Sequence, residues 1–139
     1  GLTYVKKGVP DHAAVHTIQL EDNLVRVLPR PFHMMSNVTS LCLDRNQFTE
    51  LPSWIPEYSQ LRKLSLSKNK MEEVEPNLGE CRALEKAFFD GNYLEYVPAT
   101  FGLLTNLQML RLDCNKLLVV NPCLGFMHSL TRLWLGFNA

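Results

Sequence analysis

His12 and His16 are four residues apart, the spacing at which two imidazoles on one helical face bind a metal ion. His16, however, falls at the second position of an extended segment, and His33 and His128 lie on connecting arms. The histidines therefore read as solvent-facing, and no metal or other cofactor is expected. Cys42, Cys81, Cys114 and Cys123 are spaced by 39, 33 and 9 residues, without a CxxC pair or a histidine at catalytic spacing. Reduced thiols in the cytoplasm are the expectation; the sequon Asn37-Val38-Thr39 is a single match on the side of secretion. There is no GxxxxGK[ST] or GxGxxG phosphate loop and no GxSxG elbow, so no enzymatic role is expected of these residues.

What does recur at fixed spacing is a strand-like segment. VHTIQLEDN from Val15, VTSLCLDRN from Val38, LRKLSLSKN from Leu61, LEKAFFDGN from Leu84, LQMLRLDCN from Leu107 and LTRLWLGFN from Leu130 start at 23-residue intervals without a gap. In each, the first, fourth and sixth positions are apolar and the ninth is Asn. Alternate side chains of an extended chain point to opposite faces, so the fourth and sixth positions form the buried face of a short strand. Stacked copies pair about 4.8 Å apart as a parallel sheet. The ninth-position Asn turns the chain and offers its amide to backbone groups that sheet pairing leaves free. Apolar residues at positions eleven, fourteen, eighteen and twenty-one line the returning arm, whose fifteenth position is Pro29, Pro52 or Pro98 but Glu75 and Asn121 in two copies.

The LxxLxLxxN segment followed by an LPxxfgxL-like return resembles the leucine-rich repeat family, over residues 15 to 138. Its 23-residue period and LP turn are similar to intracellular repeats of the Ras-suppressor and signalling-scaffold type. The resemblance implies an α/β-type repeat solenoid: a right-handed horseshoe with a short-stranded parallel sheet on the concave face and irregular or 3-10 convex arms. Residues 1 to 14 lack the period and are expected to form a lead-in or cap; the array runs from 15 to 139 with its last repeat incomplete. The chain stops just after the sixth strand, with Leu130, Leu133 and Leu135 on an open face, so the natural polypeptide is expected to continue.

The paired phenylalanines of LEKAFFDGN then separate. Phe89 takes the inward sixth position, filling the space left by Ala87 at the fourth, and Phe88 faces out. The outward fifth position reads Gln19, Cys42, Ser65, Phe88, Arg111 and Trp134, with aromatic and Arg content rising toward the C-terminal half. Tyr93, Met109, Phe137, Lys63, Lys68, Lys86 and Arg132 are expected nearby, and Cys114, like Cys42, is expected to face the concave side. Aromatic residues and Arg dominate interface hot spots, so Phe88, Arg111, Trp134, Tyr93, Met109, Lys63, Lys86 and Arg132 form the candidate partner site. The alternative reading is local packing. Arg62, Lys63, Lys68 and Lys70 form either a solvated face or a landing zone for an acidic protein segment. The seventh position reads Glu21, Asp44, Ser67, Asp90, Asp113 and Gly136: a solvated ridge bonded to local backbone, or a contact for a basic partner or cation.

Lys plus Arg and Asp plus Glu number 14 each in 139 residues, so no global field draws the chain to nucleic acid, and no nucleic acid partner is expected. The longest apolar run, Leu117 to Val120, is far below the roughly 20 residues of a membrane helix. The expected function is recognition of a protein partner by a repeat array. Two alternatives are a regulatory repeat region of a larger signalling enzyme, such as a kinase, GTPase, phosphatase or cyclase, and a structural scaffold in a cytoskeletal or ciliary assembly.

Overall fold

A computed structural model describes residues 14 to 139. The expected lead-in over residues 1 to 14, and with it His12, lies almost wholly outside the described residues. Six three-residue strands, β1 (Thr17–Gln19), β2 (Ser40–Cys42), β3 (Lys63–Ser65), β4 (Lys86–Phe88), β5 (Met109–Arg111) and β6 (Arg132–Trp134), form one parallel sheet in sequence order. Each residue pairs with the one 23 places on: Ile18 with Leu41, Leu41 with Leu64, Leu64 with Ala87, and so to Leu133. The sheet is open, and the returning arms carry only 3-10 turns, at Arg30–Met34, Ile55–Glu57, Pro76–Glu80, Ala99–Leu103 and Pro122–Phe126.

The core is the stack of inward positions. Leu41, Leu64, Ala87 and Leu110 at the fourth position, and Leu43, Leu66, Phe89 and Leu112 at the sixth, are all fully buried. Each such Leu contributes about 1.5–3 kcal/mol relative to exposure. Phe89 does fill the space beside Ala87: both are fully buried, and its ring centroid lies 6.3 Å from that of Phe101 on the returning arm. Burial fades toward the last turn, where Leu133 is 40% exposed.

The Asn column closes each turn against its neighbour. Asn92 Oδ1 accepts from Met71 N–H at 3.0 Å, while its Nδ2 donates to the Leu66 and Phe89 carbonyls, each at 2.9 Å. Asn46, Asn69, Asn115 and Asn138 repeat this pattern on Val25, Phe48, Leu94 and Leu117. A buried amide with three partners on two repeats is a structural rung that no apolar residue replaces.

The copies without the fifteenth-position Pro keep the turn by other means. Pro76 and Pro122 begin their 3-10 turns one residue later, where the fixed φ suits the first helical position. Asn121 additionally accepts from Cys123 N–H at 2.9 Å and donates to the Val97 carbonyl at 2.9 Å. The arms also approach closely at Gly79, where a Cβ would stand 2.4 Å from the Thr100 carbonyl oxygen. Any side chain there would push two turns apart.

Candidate functional site

Parallel pairing in one register turns the outward positions of the strands into two columns. One runs Thr17, Ser40, Lys63, Lys86, Met109, Arg132; the other runs Gln19, Cys42, Ser65, Phe88, Arg111, Trp134. Seven of the eight candidate residues, Lys63, Lys86, Phe88, Met109, Arg111, Arg132 and Trp134, therefore share a single face. Phe88 is half-buried between its neighbours, and Trp134 is 38% exposed. Cys42 and Ser65 in this face are small and buried, so the column is covered at that end and aromatic toward the other.

Arg111 organises the C-terminal half. Its guanidinium lies 3.4 Å from the Asp113 carboxylate and 3.7 Å from that of Asp90, with Cζ 5.7 Å from the centre of the Trp134 ring. A cation over an aromatic face within about 6 Å is attracted to the ring, and the two carboxylates hold the cation in place. The hydrogen bond to Asp113 is the main cause that raises the Arg111 pKa, which keeps it charged at any working pH.

The seventh-position carboxylates continue this network. Asp44 Oδ1 accepts from Ser65 Oγ at 2.6 Å and from Ser67 N–H at 2.9 Å, and Asp90 Oδ1 accepts from Ser67 Oγ at 2.7 Å. The ridge is thus bonded along its length by serine, backbone and arginine. Among the described residues no group of three or more His, Cys, Asp or Glu is placed to hold a metal ion.

Tyr93 lies elsewhere. It follows the Asn turn at the tenth position of its repeat, where the chain has left the sheet, and its ring carries Lys116 Nζ 4.8 Å from its centre. It lines a groove of about 650 Å³ on the flank, with Glu50, Glu72, Glu73, Glu95 and Tyr96. Phe137 is also off the sheet face: it occupies the eighth position, where the chain turns through left-handed backbone, and is 88% exposed. Cys114, expected on the concave side, stands in the same column and is an exposed thiol of that turn.

That column was not anticipated from the sequence. Asp22, Arg45, Lys68, Gly91, Cys114 and Phe137 have φ between 54° and 68°. Left-handed backbone costs a non-glycine residue about 1–2 kcal/mol, and only Gly91 and Asp22 are of types that favour it. His16 donates through Nδ1–H to the Asn37 carbonyl, 3.0 Å away.

A scan against models of protein families matches none, and a search of curated proteins finds no match. Solved structures do match. A leucine-rich repeat protein of Leptospira interrogans is 27% identical, with a TM-score of 0.87 over 89% of this chain. This chain has the leucine-rich repeat fold. An internalin from Listeria monocytogenes shares the fold with a TM-score of 0.74 at 20% identity over 86% of the chain. The chain spans about a third of the length of each, 32% and 34% respectively. These likenesses support a protein-interaction repeat module in general. No helix among its described residues is long and apolar enough to cross a membrane.

Proposed function

We propose that the array binds a protein partner through its sheet face, with Phe88, Arg111 and Trp134 as central anchors and Met109, Lys63, Lys86 and Arg132 around them. The observation that carries this reading is the fifth-position column: an aromatic ring, a twice-bridged guanidinium and an indole stand on successive strands. The register fixes their order, and Asp90 and Asp113 hold the Arg111 guanidinium before any partner arrives, so little of its side-chain entropy is lost on binding. A rigid array of this kind acts by presenting a preorganised surface and not by chemistry on a substrate. Tyr93 leaves the set, because it belongs to the flank. A reducing, cytoplasmic setting is supported by four free thiols, three of them buried.

The test is affinity capture from a native lysate, comparing the wild-type array with a Phe88→Ser, Trp134→Ser variant whose circular dichroism is unchanged. A partner held by the first and lost by the second is the expected result. Identical partners on both would return Phe88 and Trp134 to local packing.

A further inference from the structure

The charges of the sheet face are not evenly compensated. Among the described residues, ion pairs engage Arg45 with Asp22, Arg62 with Glu85, and Arg111 with Asp90 and Asp113. None engages Lys63, Lys86 or Arg132, although all three stand in one column of the sheet. Lys63 and Lys86 are direct neighbours in the β3–β4 register and both are half-buried. Like charges directly opposite on adjacent strands repel, and partial burial takes water away from both ammonium groups. The carboxylates along the other edge do not relieve them: Asp44 is bonded to Ser65 and Ser67, and Asp90 to Ser67.

We infer that the partner of the sheet face presents an acidic protein segment, with carboxylates over Lys63, Lys86 and Arg132 and an apolar or aromatic side chain against Phe88 and Met109. This rests on the sheet-face reading above and adds the chemistry of the partner. Strands about 4.8 Å apart put Lys63 and Arg132 roughly 14 Å from one another, the reach of four to five extended residues. A short acidic stretch crossing the strands therefore meets all three cations, while Met109 interrupts them on β5 and marks where an uncharged side chain belongs. A nucleic acid fits less well. Three cations in one column lie beside the Asp44, Asp90 and Asp113 ridge, which repels a continuous phosphate backbone.

The test uses the whole array and a random peptide library displayed on phage, panned on the wild type. The enriched peptides are expected to carry clustered Asp or Glu beside a Leu or aromatic residue. Their synthetic versions should bind about tenfold or more weakly to a Lys63→Glu, Lys86→Glu variant, with a smaller loss for Lys63→Gln, Lys86→Gln, and should weaken as salt rises from about 50 to about 500 mM. Both variants shorten the aliphatic stem equally, so the difference between them reports charge, and circular dichroism checks that they fold. Peptides that depend on Phe88 and Trp134 but carry no acidic cluster, or ignore the lysine reversal, would overturn the acidic assignment and leave the sheet-face reading standing. Peptides indifferent to both pairs would overturn both. Preference for a single-stranded RNA over the acidic peptides, lost in the lysine variant, would also overturn the assignment.

Discussion

The sheet face and the flank groove are built from the same repeats, a few residues apart, yet they leave groups of opposite charge outside ion pairs. On the sheet, carboxylates are absorbed by Ser65, Ser67 and Arg111, and the cations Lys63, Lys86 and Arg132 stand free of ion pairs among the described residues. On the flank, Glu50, Glu72, Glu73 and Glu95 face Tyr93 and Tyr96, with Lys116 the one cation lining the groove. A formal charge of zero thus conceals two surfaces of different charge pattern. The comparison teaches that in a stacked array selectivity is a property of columns, since a residue type at one repeat position is read beside its neighbours 23 places away. Turning one column changes one face and spares the other.

The largest effect that would break this comparison comes from the rung that joins the two faces. Asn92→Ala would leave Met71 N–H without a partner inside the core and remove one of the two amide donors from each of the Leu66 and Phe89 carbonyls, which keep Asn69 and Asn115. A loss of about 2–3 kcal/mol is expected in urea unfolding, with both faces disturbed together. An equal loss from Tyr96→Phe, which touches only the flank, would deny the rung its special place.

A titration separates the core from both surfaces. Burial, with the nearby Glu80 carboxylate adding to it, pushes the Cys81 thiol up to about 12 from 9.0. Between those values the unfolded thiol has lost its proton and the folded one keeps it, so the unfolded state binds fewer protons and stability falls as pH rises above about 9. The expected slope is about 1.4 kcal/mol per pH unit from this group, and a Cys81→Ala variant should fall less steeply. Tyr58, buried with its hydroxyl donating to the Phe32 carbonyl at 2.6 Å, is shifted upward by the same cause and steepens the fall further above its ordinary range.

The turn between the faces offers a smaller change in the opposite direction. Lys68 has φ of 57° and no ion pair among the described residues, so Lys68→Gly should stabilise the array by about 1 kcal/mol in thermal unfolding. Gly91→Ala should do the reverse, because a Cβ there meets Lys68 Cγ at 3.2 Å in a backbone with φ of 68°. Smallest of all, Tyr96→Phe removes the exposed hydrogen bond to Glu73 at 2.9 Å and should cost under about 1 kcal/mol. Neither peptide binding to the sheet face nor its salt dependence should change.

The period explains what was legible in advance. Positions one, four, six and nine repeat so strictly that strand register, the inward turn of Phe89 and the outward turn of Phe88 follow from alternation alone. Tyr93, Phe137 and Cys114 were misplaced because alternation ends at the eighth position, where the backbone turns left-handed. That column mixes Asp, Arg, Lys, Gly, Cys and Phe, so composition hides a shared conformation; Gly91 and Asp22 were its faint signals. The compensation of Asp44, Asp90 and Asp113 was hidden for another reason. It depends on side chains of neighbouring repeats meeting within 2.6 to 3.7 Å, which linear spacing does not give.

The Asn rungs have a further consequence for how such a chain finds its fold. Asn46, Asn69, Asn92, Asn115 and Asn138 each bond to residues no more than 26 places away. Every rung therefore closes a loop of nearly constant length, and the entropy of closure is the same for each. Order can begin at any pair of repeats and spread to either side like a zip, each added turn meeting an edge already formed. The time to add one repeat is then set by that repeat and its neighbour, and the search does not lengthen as repeats accumulate.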